Sequence, residues 1–168
     1  MAAAQSRISV NFAGVLESVV DIGTVRHNVD YGATYNLIDG TGADSIKEIF
    51  ADTRTLAASA TENLDMAGVL TDAFGTTITF TKIKAICIKA SSANTNDVVV
   101  GGHGSAACFS MFNAATDKIK VKPGGMMLLV APDNTGYAVT ATTADMITVA
   151  NSSSGTGVTY DVIIMGVV

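Results

Sequence analysis

Tryptophan is absent from this chain, and all aromatics together make up only 6% of its 168 residues. Sugar rings pack on flat aromatic faces, so this scarcity argues against a lectin or a saccharide cleft. Histidine is nearly as scarce, with only His27 and His103. A serine nucleophile needs a base and an acid to orient that base, and no serine here lies in a Gly-x-Ser-x-Gly setting. Two of the 15 acidic residues could meet as a hydrolytic pair, but spacing alone does not bring any two together. The expectation is a protein that is not an enzyme.

Cysteine is limited to Cys87 and Cys108, too few for a disulfide framework. Structural zinc calls for short paired spacings such as C-x2-C, which neither cysteine has. His27, Cys87, His103 and Cys108 are therefore read as two core thiols and two unliganded histidines. Gly101-Gly-His-Gly104 lacks the Lys-Ser/Thr of a phosphate loop and reads as bend geometry. Asp133-Asn-Thr-Gly136 offers oxygen ligands but is too short for an EF-hand, and an Asx turn accounts for it. No metal and no cofactor is expected.

Charge is sparse as well. Asp, Glu, Lys and Arg make up 15% of the chain, against about 25% in an ordinary domain. Mean hydropathy is +0.39, yet no apolar run approaches the roughly 20 residues that cross a bilayer. The longest, 126–131 and 162–168, have strand length, so no membrane partner is expected. Two explanations fit so apolar a chain. Small residues, including 16 glycines, dilute the apolar content, or partner chains cover much of the surface, since interface cores are poor in charge. The net charge of −5 supplies no basic stripe for nucleic acid. Acids concentrate before residue 80, where only Arg7, Arg26, Lys47 and Arg54 are basic. The start lacks a basic segment followed by an apolar one, so no secretory leader is expected.

What is present is strand signal. Ile8, Val10, Phe12, Gly14, Leu16 and Val20 alternate with Ser9, Asn11 and Glu17, a half-buried strand or two short ones. Residues 24–38 show no helical stripe and end at Asp39-Gly-Thr-Gly42, a turn. Residues 44–50 predict one short helix capped by Asp44 or Ser45. Extended chain over 53–66 leads to a loop around 68–75. Residues 78–90 are apolar on both faces and predict a central strand covered on both sides. Further strands are expected at 98–100, 126–131, 137–142, 146–150 and 158–168. The turns between them include Pro123-Gly124 of type II. In the last strand Tyr160, Val162 and Ile164 share one face. Such spacing predicts an all-β, antiparallel sandwich or barrel. It comprises an irregular or extended N-terminal region over 1–60, part of the same domain, and a sandwich body over 61–168.

Three segments carry a resemblance. They are Thr61-Glu-Asn-Leu-Asp-Met-Ala-Gly-Val-Leu-Thr-Asp-Ala-Phe-Gly75, the run 121–139 containing Pro123-Gly-Gly125, and the closing 158–167. In order and spacing, residues 53–168 resemble small tailed-bacteriophage structural proteins of the jelly-roll capsid decoration (cement) type. The resemblance implies a jelly-roll-like β-sandwich on the capsid surface of a virion. Its partners would be the major capsid protein and copies of itself, as a homotrimer bracing adjoining coat subunits. Val15, Leu16, Val19, Val20 and Ile22 form an apolar edge expected to make such a contact; the same five also fit a core strand. The competing function is a tail or fibre module that binds a host-surface receptor.

Overall fold

The structure, a computed structural model, describes residues 3–168. Among the described residues there are fourteen strands and no helix. Two long strands come first, β1 (Ser6–Val19) and β2 (Thr24–Asp39). The short β3 (Ser45–Ile46) and then β4 (Glu48–Leu56), β5 (Thr61–Asp65), β6 (Ala67–Thr71) and β7 (Thr77–Thr79) follow. The rest are β8 (Lys82–Ala90), β9 (Val98–Gly101), β10 (Lys118–Val121), β11 (Met126–Val130), β12 (Tyr137–Ala138), β13 (Met146–Asn151) and β14 (Val158–Val167).

Eight of these strands build two facing antiparallel sheets, ordered β4-β14-β8-β11 and β5-β13-β9-β10. In chain order, the first sheet holds the first, eighth, third and sixth of the eight. The second sheet holds the second, seventh, fourth and fifth. Those four pairings (β4 with β14, β5 with β13, β8 with β11, β9 with β10) are the rungs of one long ribbon, wrapped so that they fall alternately in either sheet. That is the jelly-roll arrangement, and the sandwich expected from turn spacing is present.

The core forms where alternate side chains of both sheets meet. Phe50, Leu56, Ile86, Ile88, Val162 and Ile164 come from the first sheet, and Leu64, Val98, Val100, Ile147 and Val149 from the second; all are buried in one cluster. Burying each such side chain contributes about 1.5–3 kcal/mol. Tyr160, Val162 and Ile164 share the inward face of β14, as their alternation predicts. Both core and register are inherited from that period of two.

Several expectations are corrected. Residues 44–50 are not helical. Ile46 and Phe50 are both buried, Asp44 has φ 49°, and β3 pairs in parallel with β2. Pairing of β4 along β14 satisfies the backbone there, so the tertiary ladder overrides the local helical spacing. The loop expected around 68–75 is the β6–β7 hairpin, with Asp72 Oδ1 accepting the amides of Phe74 and Thr76, both at 2.8 Å. The strand expected over 78–90 breaks at Phe80-Thr81, where the chain leaves β6 for the first sheet. Its outer face is covered only near Lys84 and Ala85, while Cys87 and Lys89 reach solvent. The strand expected over 137–142 stops at Ala138, before Thr142 turns with φ 68°. The largest correction concerns the N-terminal region, which is extended as expected but regular rather than irregular.

Candidate protein interface

Strands β1 and β2 pair without a break over fourteen residue pairs, from Ser6 with Leu37 to Val19 with Thr24. At about 3.3 Å per residue the ribbon is roughly 46 Å long, longer than any strand of the body. A tight turn closes its tip, where the Val20 amide donates to the Gly23 carbonyl at 3.1 Å. Gly23 holds φ 95°, a region side chains disfavour.

The root of this arm is fixed to the body. Leu37 is buried, and Ile8, Val10, Ala33 and Tyr35 are half-buried. The Ile38 amide donates to the Asp44 carbonyl at 2.9 Å, and Lys47 pairs with Asp39 at 2.8 Å. That lysine holds the Asp39 carboxyl below its ordinary range. From Asn11 outward to Gly32 every residue is exposed on both faces. The half-buried strand expected here is therefore half-buried only at its root.

The two faces differ sharply in chemistry. Residues directly opposite in the register point to the same side. One face carries Ser6, Ile8, Val10, Phe12, Gly14, Leu16 and Ser18 from β1, facing Leu37, Tyr35, Ala33, Tyr31, Val29, His27 and Val25 from β2. It contains no Asp, Glu, Lys or Arg. Every charged residue paired in the ladder outside its root lies on the other face, including Glu17 and Arg26, which pair at 2.6 Å. On the charge-free face Phe12 is 63% exposed, Leu16 73%, Val25 58% and Tyr31 61%. The Phe12 and Tyr31 rings lie 6.5 Å apart, tilted by 38°.

The five residues expected to make a contact all lie in this arm, and none is in the core. They are divided by the pleat. Leu16 is on the charge-free face, Val15 and Val19 are on the opposite face, and Val20 and Ile22 occupy the tip, where Ile22 is 96% exposed. Phe12, which the alternation places on an apolar face, is not among the expected contact residues, and Val25, Val29 and Tyr31 escape sequence reading although they alternate with period two.

Elsewhere the structure assembles no chemistry from the other candidates. His27 is in the arm, while His103 Nδ1 accepts the Ala106 amide at 3.1 Å. Cys108 is buried beside Ser110 and the Ala138 carbonyl, whereas Cys87 is on the outer face of β8 rather than in the core. Burial pushes both thiols up, away from the reactive thiolate. No group of three or more His, Cys, Asp or Glu gathers among the described residues. Gly101 and Gly102 hold φ 108° and 79° at a bend. The Asp133 carboxylate is occupied as an Asx turn, accepting the amides of Thr135 at 2.6 Å and Gly136 at 3.0 Å. Buried Lys84 donates to the Asp133 carbonyl, and desolvation lowers the lysine's pKa.

A groove of about 760 Å³ runs beside the arm root, lined by Ala3, Ala4, Ile49, Ala51 and Phe74 among others. Lys47, Glu48 and Asp72 edge it. The feature with the most exposed apolar surface is the arm.

No protein-family model matches this chain. No curated protein matches it either. Among solved structures, the IMPa metallopeptidase in complex with T-antigen is similar at 16% identity and a TM-score of 0.36. The likeness covers 76% of this chain and 14% of that one, so the chain corresponds to a small part of the metallopeptidase's length.

Proposed function

We propose that this protein is a viral structural protein, a decoration (cement) protein that binds the outside of a tailed-phage head and braces junctions between major capsid subunits. The observation that carries the reading is the projecting arm. It is a regular ribbon, anchored at one end, whose exposed apolar side chains have no cover among the described residues. An isolated two-stranded hairpin is marginally stable in water, so an arm of this length and composition suits an element that docks on other protein. The resemblance of residues 53–168 to small phage structural proteins supplies the kind of partner, and the jelly-roll body suits that resemblance.

In this reading the tip and the outer face, with Ile22, Val20, Val15 and Val19, meet the coat lattice. The work is mechanical. Apolar surface buried across a junction, at about 25 cal/mol per Å², opposes separation of the subunits it spans. Many copies on one lattice add through avidity.

Co-sedimentation with capsids that lack the protein tests the proposal. The expected result is saturable binding at a fixed copy number, with capsids made more resistant to heat and binding weakened by Ile22→Asp. Failure to sediment with capsids, together with attachment to the host surface, would overturn it in favour of a receptor-binding tail module.

A further inference from the structure

We infer that the charge-free face of the arm is a self-association surface, covered by the same face of a second copy of this chain. The inference rests on the arm being a protein-binding element, and it assigns that element's two faces to different partners.

Three observations point to a second copy. The first is composition. Fourteen positions on this face carry no carboxylate, ammonium or guanidinium, and its ionisable side chains are limited to His27, Tyr31 and Tyr35. Interface cores are depleted in charge, and such a strip holds little that would specify a foreign surface. A copy of the same chain offers an apolar match in equal amount.

The second is area. Phe12, Leu16, Val25, Val29 and Tyr31 are each about half to three-quarters exposed. Side chains of this size then present on the order of 100 Å² apiece, about 500 Å² in all. Two such faces together remove about 1,000 Å² from water, the threshold for a specific interface. The same area left bare would match the largest apolar patches found on monomers.

The third is shape. The unbroken register makes the face a regular pleated strip, with Gly14 between Phe12 and Leu16 leaving a dip beside two projecting side chains. Nothing lies within 4 Å of where a Gly14 side chain would begin. A self-complementary strip can place the knobs of one copy in the dip of the other, and a surface that contacts itself closes into a symmetric oligomer. Stacking these faces leaves the outer faces, with Glu17, Arg26, Val15 and Val19, directed away from the association axis.

Sedimentation equilibrium on the full chain, across a concentration series, tests the inference with two variants. Leu16→Asp places a carboxylate in the charge-free face, and Val15→Asp places one next to it in sequence but on the opposite face. The expected result is a wild-type oligomer, an association about 100-fold weaker in Leu16→Asp, and little change in Val15→Asp. Tyr31→Ser serves as a second reading of the same face, and an unchanged melt of the body certifies that each variant folds. A monomeric wild type at tens of micromolar would overturn the inference, as would equal weakening by both Asp variants. Capsid co-sedimentation of the same samples separates the two proposals. A monomer that still saturates capsids sinks self-association alone, and an oligomer that ignores capsids sinks the decoration reading alone.

Discussion

The Tyr160 hydroxyl donates to Glu62 Oε1 at 2.6 Å, joining a core strand of one sheet to the edge strand of the other. Tyr160 is fully buried on β14, and Glu62 on β5 is also held by Arg54 of β4 at 3.2 Å. A hydrogen bond to a charged group contributes about 1.5–3 kcal/mol. Urea unfolding of Tyr160→Phe near pH 7 is expected to show a loss of about 1–3 kcal/mol with an unchanged slope.

The same contact sets an alkaline limit. Burial, and then the hydrogen bond to Glu62, push the Tyr160 hydroxyl well above its ordinary value. With the folded pKa raised, the folded state retains a proton that the unfolded chain releases near pH 10. Its contribution is therefore complete below about pH 10 and is lost as pH rises further, by up to about 1.4 kcal/mol per unit. Melting curves of wild type and Tyr160→Phe should converge above pH 10. Parallel curves through pH 11 would show that the hydroxyl is not held in this way.

Asp133 sets the acid counterpart. Hydrogen bonds from the Thr135 side chain and the Gly136 and Thr135 amides lower its carboxyl from 3.8 to about 2. A depressed folded pKa gives stability that is present above about pH 4 and lost as pH falls towards 2. Asp133→Ala should therefore flatten the fall of melting temperature between pH 4 and 2, relative to wild type. An identical fall in both proteins would remove Asp133 from the acid limb.

Two glycines should respond in opposite ways. A side chain at Gly166 would meet the Lys82 carbonyl and lie 2.8 Å from Phe80 Cδ1, in the packed layer where β8 bulges against β14. Backbone on one side and a buried ring on the other leave little room to relax, so Gly166→Ala is expected to cost about 1–3 kcal/mol. Gly14, with nothing in its own chain within 4 Å of a built side chain, should accept alanine with a change in the stability of the body under about 0.5 kcal/mol. Chemical denaturation of both variants reads the contrast directly.

The sandwich was legible because its cause is local. Tyr160, Val162 and Ile164 announce a buried face by alternation, and Asp39-Gly-Thr-Gly42 and Pro123-Gly124 mark where strands end. The residues 44–50 misled because Ile46, Ile49 and Phe50 also fit one helical face. Only the ladder with β14, supplied from more than a hundred residues away, decides between the two periods. Cys87 misled similarly, since an apolar neighbourhood in sequence does not say which side of a strand faces the core.

The arm shows the division most plainly. Sequence by itself determined that β1 has an apolar and a polar side, because side chains alternate along any extended chain. It also determined that the chain carries little charge and only two histidines. What only the tertiary structure decided is that β1 pairs with β2 alone, and that the paired ribbon leaves the body. Alternation is the same for a strand packed on a core and for one waiting in solvent. Cover is a property of what lies opposite, and that depends on contacts between residues far apart in the chain.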